Sequence, residues 1–194
     1  MKKYIFESLK VWFVLTFLTG IMYPIIVWQI DNIFFYEQSQ GNLVYSSDGK
    51  LIGAKNIGQE FLKEYYFHSR PSAISYHGES SGTTNFGPLH PNLKSEVLKR
   101  IDFYHQDVSK IPPELLLASG SGLDPHLHPQ SIVFQIPRIA KSRHFRESDL
   151  IRLNDLIEQV IEDPTLSILG ESRINVLLLN LQLDSLWGRP TLDK

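Results

Sequence analysis

Residues 11–30 read VWFVLTFLTGIMYPIIVWQI, with no charged residue between Lys10 and Asp31. At 1.5 Å per residue a helix of this length spans about 30 Å, the thickness of a bilayer's hydrocarbon core. Trp12, Tyr23 and Trp28 are amphipathic aromatics suited to the membrane–water interface, and Trp12 and Trp28 sit near the two ends. The alternative is a cleaved secretory signal, whose apolar region runs about 7–15 residues and ends in a small-x-small site. This run is longer, and Trp28-Gln29-Ile30 is not such a site. The reading is therefore a retained transmembrane helix over 11–30.

The flanking charges give an orientation. Lys2, Lys3 and Lys10 precede the span, whereas Asp31 and Glu37 follow it with no basic residue before Lys50. Basic flanks stay in the cytoplasm. Residues 1–10 are then a cytoplasmic N-terminus, 31–42 a short polar stalk, 43–187 a single domain outside the membrane, and 188–194 a C-terminal tail. Within the span, Thr16 and Gly20 are four apart, a spacing that lets another helix approach closely. Pro24 follows one turn later and should kink the helix. Thr16, Gly20 and Pro24 are the candidate helix–helix interface. Small residues and proline are also simply tolerated in membrane helices, and that reading stays open.

The outer part is globular in composition. The whole chain of 194 residues is 42% hydrophobic and 21% charged, outside the disordered range. A net charge of −2 offers no basic stripe for nucleic acid. The chain has no cysteine, which excludes disulfides, thiolate metal sites and cysteine nucleophiles.

Leu43–Ser46 and Lys50–Gly53 read as strands joined at Asp48-Gly49, a hairpin turn signal. Gly58 to Tyr65 suggests a short helix. Residues 68–90 form a long polar loop, of a length that is usually functional or disordered. Pro91 suits the first position of a helix carrying Leu93, Val97, Leu98 and Ile101. Pro112-Pro113 opens another, with Gly120 available to cap it. Asp124 ahead of Pro125 reads as the N-cap of a helix bearing Ile132, Val133, Ile136 and Ile139, bent at Pro137. Leu150, Leu153, Ile157, Val160 and Ile161 form an amphipathic helix ended by Pro164. Ser167–Leu169 is a possible strand. Asn175 to Trp187 is apolar almost all round, as in a buried helix. The fold class is α+β: one N-terminal membrane helix and a mixed α/β domain, helical in its second half.

Three constellations contain reactive residue types. Ser119-Gly120-Ser121-Gly122 resembles a phosphate cradle but lacks the spacing of a phosphate loop, and a helix cap followed by a turn explains it better. Ser121, Asp124 and His126 are the residue types of a hydrolase triad, without a Gly-x-Ser-x-Gly elbow. His126 and His128 would need a third ligand, with His68, His77 and His90 available in the long loop. An anchored hydrolase and an anchored metal-binding module are thus the rival functions, although neither a catalytic nor a metal residue is assigned. No Asp-Lys-Thr-Gly-Thr phosphorylation motif and no Thr-Val-Gly-Tyr-Gly filter is present.

Taken in order, several segments resemble one family, the C subunit of the Kdp-type potassium-transporting P-type ATPase of bacteria and archaea. They are Leu18-Thr19-Gly20 with Tyr23-Pro24, Leu51-Ile52-Gly53, Ile57-Gly58-Gln59, and Tyr66-Phe67-His68-Ser69-Arg70-Pro71-Ser72-Ala73. Asn85-Phe86-Gly87-Pro88, then Ala118 through His126, and Gln135-Ile136-Pro137-Arg138-Ile139-Ala140 follow. The series closes with Asn175-Val176-Leu177, Asn180-Leu181 and Leu183-Asp184. The chain departs from the family's usual glycine at Ser69, leucine at Phe86 and serine at His128. The last departure weakens the two-histidine metal reading. It also puts a poorer cap ahead of Pro129, where serine would cap a helix well.

The resemblance implies a four-part pump in the plasma membrane, the inner membrane of a prokaryote with two. A channel-like A subunit selects potassium, a P-type ATPase B subunit hydrolyses ATP, and a small F subunit and the C subunit complete it. It implies that the C subunit is needed for assembly and is proposed to raise the B subunit's affinity for ATP. The C subunit itself is non-catalytic, with ATP and potassium handled by the complex. The docking candidates are Tyr66, His68, Arg70, Pro71, Asn85, Gly87, Pro88, Ser119, Ser121, Asp124, His126, Gln135, Arg138, Asn175 and Asn180. Arg70 and Arg138 are expected to pair with partner carboxylates or with Asp124. The competing expectation is that the 68–90 and 118–126 segments only shape the domain internally.

Overall fold

The computed structural model describes residues 2–46 and 48–190. Ser47 of the expected hairpin and residues 191–194 of the expected tail lie outside the described residues. Two compact units are present, divided between Ile52 and Gly53.

The first unit is built on one helix of 32 residues, Lys3–Phe34, long and apolar enough to cross a membrane. It comprises α1 (Lys2–Phe17), a π-turn (Leu18–Met22) and α2 (Tyr23–Phe34). At 1.5 Å per residue it is about 48 Å long, so it outruns a hydrocarbon core of about 30 Å. The π-turn has a chemical cause. Pro24 has no N–H for the Gly20 carbonyl, and its ring would collide with that carbonyl in a regular α-turn. The chain widens just ahead of it, and the Tyr23 N–H reaches back to the Leu18 carbonyl instead. The stalk differs from expectation: 31–34 continue the helix, and α3 (Tyr36–Ser39) follows at once. It is also less polar than expected, because Ile33, Phe34, Phe35 and Tyr36 are all exposed. Next comes the expected hairpin of β1 (Leu43–Tyr45) and β2 (Leu51–Ala54).

The second unit is mostly helical: α4 (Pro91–Tyr104), α5 (Pro113–Leu116), α6 (Pro129–Arg143), α7 (Glu147–Val160) and α8 (Val176–Trp187). Three of them begin at proline, whose fixed φ suits the first helical position and whose missing N–H is not needed there. Two short strands, β3 (His126–Leu127) and β4 (Ile174–Asn175), pair antiparallel with His126 opposite Asn175. The core joins Phe67, Leu115, Leu127, Ile132, Ile139, Leu153, Ile174, Leu179 and Leu183, each at most 1% exposed. Burying each such side chain contributes about 1.5–3 kcal/mol.

Five expectations are corrected. Gly58 to Tyr65 is not helical; a Cβ on Gly58 would lie 2.7 Å from the Asp124 carbonyl oxygen, and the carbonyls of 63–65 accept side-chain donors from elsewhere in the fold. Asp124 does not cap a helix: its Oδ1 accepts the His126 N–H in a tight turn, and α6 starts later, behind His128. His128 caps without a side-chain bond, the weakness expected of histidine there. Gly120 caps nothing, because α5 ends at Leu117 in extended backbone. Ser167–Leu169 belongs to a turn closed by a bridge between Thr165 and Leu169. Finally, α8 is not buried all round: Leu183 of its second half is in the core, but Gln182, Ser185 and Leu186 are exposed.

Candidate functional site

Five of the candidate residues, Tyr66, His68, Gln135, Arg138 and Asn180, meet at one segment, 64–68, which leaves a turn at 63–66 and is held by side chains instead of by neighbouring strands. Asn180 and Asp184 are four apart and share a face of α8, and Gln135 and Arg138 are three apart on α6. The Asn180 carboxamide accepts from the Phe67 N–H and donates to the Phe67 carbonyl, both at 2.9 Å. Gln135 does the same for the next residue, accepting from His68 N–H at 2.8 Å and donating to its carbonyl at 3.2 Å. Two buried amides thus replace the ladder bonds that an isolated buried strand would lack. Arg138 donates to the Glu64 and Tyr66 carbonyls and to Gln135 Oε1. It does not pair with Asp124, contrary to one expectation, because its guanidinium is spent on this clasp.

Arg143 and Asp184 complete the arrangement. The Arg143 side chain is 2% exposed and meets Asp184 at 2.7 Å, while it donates to the Tyr65 and Gly188 carbonyls. The Tyr66 hydroxyl donates to the other Asp184 oxygen. Burial and that hydrogen bond push the Tyr66 hydroxyl up to about 12. His68, buried beside Arg138, falls to about 4 and is neutral at ordinary pH, with Nε2 at 3.2 Å from the Lys63 carbonyl. Sequence reasoning left Arg143 out: in Lys141–Arg143 it looks like a basic residue at a helix end, and nothing local says it is buried.

A second cluster ties the 118–126 segment to the front of the long loop. Arg70 meets Asp124 at 3.0 Å, as expected for that pair. Burial pushes the Asp124 carboxyl up, but hydrogen bonds from His126 and the Arg70 guanidinium outweigh it and hold it below its ordinary value. Ser119 N–H donates to the Pro71 carbonyl and Gly82 N–H to the Ser121 carbonyl. Gly122, at φ +70°, is needed there: a Cβ would lie 2.7 Å from the Gly82 carbonyl oxygen and from Ile74. Asn175 caps α8 and donates to the Lys55 carbonyl. Tyr66, His68, Arg70, Pro71, Ser119, Ser121, Asp124, Gln135, Arg138, Asn175 and Asn180 therefore all make bonds within the unit. Asn85, Gly87 and Pro88 are set apart by their exposure, although the Gly87 carbonyl accepts the His90 N–H in a local turn. They lie exposed on the far part of the loop, where Phe86 stacks on His90 at 4.3 Å.

The reactive constellations do not assemble. Ser121 Oγ accepts the Leu123 N–H, and Asp124 is engaged by Arg70 and by the His126 backbone. His126 and His128 face different carboxylates, His126 near Asp124 and Glu162, His128 against Glu171. Among the described residues no three His, Cys, Asp or Glu side chains gather as a metal set. Both histidines line a cleft of about 310 Å³ with Arg70, Glu114, Asp124, Glu171 and Arg173. Its cations and anions are largely paired with one another.

One N-terminal apolar helix, compatible with a membrane anchor, and a mixed α/β unit stitched by its own polar side chains define the class of the chain: a folded unit behind a single helix long enough to span a membrane. The family model for the c chain of the K+-transporting ATPase, KdpC, matches residues 5–185. The chain belongs to that family and is a subunit of the potassium-transporting ATPase complex. A potassium-transporting ATPase KdpC subunit of Leptospira interrogans is 43% identical over 184 residues, covering 93% of each chain. That of Methylobacterium nodulans is 38% identical over 191 residues, covering 90% of this chain and 93% of the relative. That of Koribacter versatilis is 36% identical over 195 residues, covering 98% and 99%.

Proposed function

We propose that this chain is a non-catalytic accessory subunit that braces the potassium entrance of the pump from outside the cell. In this reading the helix crosses the plasma membrane with its N-terminus in the cytoplasm. The domain stands outside against the channel-like A subunit, in a complex with the ATPase B subunit and the small F subunit. The observation that supports it is the clasp. Polar residues of the family-like segments, among them Gln135, Arg138 and Asn180, are spent on the chain's own backbone, which suits a rigid bracing body. The chain needs no cofactor of its own; ATP and potassium belong to its partners. An outer domain cannot touch cytoplasmic ATP. Any effect on the B subunit's ATP affinity is then allosteric and requires two states that this subunit binds unequally.

A reconstituted pump lacking residues 43–194 tests the reading. The expected result is a weaker apparent potassium affinity and a complex that falls apart more readily in detergent. Normal values for both would sink it.

A further inference from the structure

Between β3's partner strand and α7 the chain runs out into a narrow ribbon, residues 162–173. At its base Glu162 and Arg173 exchange both backbone bonds, at 2.9 and 3.1 Å, and their side chains meet at 2.9 Å. His128 holds Glu171 from the side. Further out, Thr165 and Leu169 exchange backbone bonds at 2.9 Å. The tip is a turn in which Leu166 and Ser167 both have positive φ, 55° and 61°. Turns of this kind favour Asn and Gly, because a side chain at positive φ crowds the backbone. A leucine there is unusual.

The same leucine is unfavourable in a second way. Leu166, Ile168 and Leu169 are 79%, 80% and 63% exposed. Elsewhere in the second unit the exposed large apolar residues, such as Leu62, Leu89 and Ile151, are spread singly along the chain, which is ordinary for a protein surface. Three within four residues, on a strained turn, on a ribbon braced at its base, make a preorganised apolar knob. The charges around it say what fits. Glu162, Asp163 and Glu171 outnumber Arg173, so residues 162–173 carry a formal net charge of −2, with Glu162 held by Arg173 and Glu171 by His128 at the base of the ribbon. An acidic collar is repelled by anionic headgroups and matches a basic rim.

We propose that the 162–173 ribbon is a docking element that seats Leu166, Ile168 and Leu169 in an apolar, basic-rimmed pocket on another protein subunit of the pump. The proposal needs only that the chain works inside the complex. It stands or falls separately from the bracing of the potassium entrance, which truncation of the whole domain tests.

Two measurements on the intact pump decide it. The first replaces the knob in the full chain, Leu166→Asn, Ile168→Ser and Leu169→Ser together, and quantifies the other subunits recovered with the tagged chain in mild detergent. Recovery should fall at least threefold, while the chain alone melts no lower than the parent, since Asn relieves the left-handed turn. Undiminished recovery overturns the proposal. The second needs no assumption about folding of a variant: a benzophenone-bearing residue in place of Ile168, photoactivated in assembled pump. A protein–protein adduct is expected. Adducts to lipid alone, or none, overturn it and leave a membrane contact or a bare loop in its place.

Discussion

His68 shows how one buried ring couples the fold to pH. It is 7% exposed, its ring lies 5.6 Å from that of Phe103, and burial with the nearby Arg138 lowers its pKa from 6.5 to about 4. Above pH 6.5 the imidazole is neutral whether the chain is folded or not, so stability does not depend on it. Between 6.5 and about 4 the unfolded chain takes up a proton that the folded chain refuses, and stability falls as pH falls. Below about 4 the loss is complete, at about 3 kcal/mol by the usual conversion. His68→Phe keeps a ring against Phe103 but gives up the bond to the Lys63 carbonyl. In denaturant unfolding at several pH values, the variant should start less stable at pH 7 and fall less steeply between 6.5 and 4. Every other titrating group is common to both chains and cancels. Equal slopes would show that His68 is not the group responsible.

At the scale of elements, the sequence was most readable where a local rule applied. Prolines at the first helical position marked α4 and α5, whereas Asp124 misled over the start of α6, because aspartate before proline closes a turn as readily as it caps a helix. The clasp was not readable. Its bonds join Phe67 to Asn180 and His68 to Gln135, pairs 113 and 67 residues apart, and no periodicity reports such a pairing. Segment 58–65 failed as a helix for the same reason, since its shape is decided by the close approach of Gly58 to Leu123 and Asp124 and by donors from α6. The N-terminal apolar helix is the opposite case. Its apolar run and its proline were plain in the sequence, but the π-turn is a specific answer to Pro24 that hydropathy does not predict. That turn precedes Pro24 and includes Gly20, whose added Cβ would meet only Thr16, at 3.9 Å. Gly20→Leu therefore leaves this helix intact and fills the space a neighbouring helix would use. Recovery of the remaining pump subunits with the tagged variant should fall several-fold, with Gly20→Ala in between. Full recovery with leucine would mean that this face meets lipid.

At the scale of the whole molecule, the proposed reading turns on the direction in which the N-terminal helix inserts. Lys2, Lys3 and Lys10 on one side, against Asp31 and Glu37 on the other, favour an inside N-terminus. In the proposed orientation the knob and the clasp both face the outside of the cell. The chain contains no cysteine, so a single introduced thiol is an unambiguous reporter of side. Leu89, 97% exposed on the polar loop, and Glu7, exposed near the start of α1, are suitable places. Leu89→Cys should react with a membrane-impermeant maleimide in intact spheroplasts, and Glu7→Cys only after the membrane is opened. Inverted vesicles should reverse the pattern. If Glu7→Cys labels first in spheroplasts, the second unit lies in the cytoplasm within reach of ATP. A direct effect on nucleotide binding would then replace the allosteric one, and the ribbon's pocket would have to be sought on the cytoplasmic face of the pump.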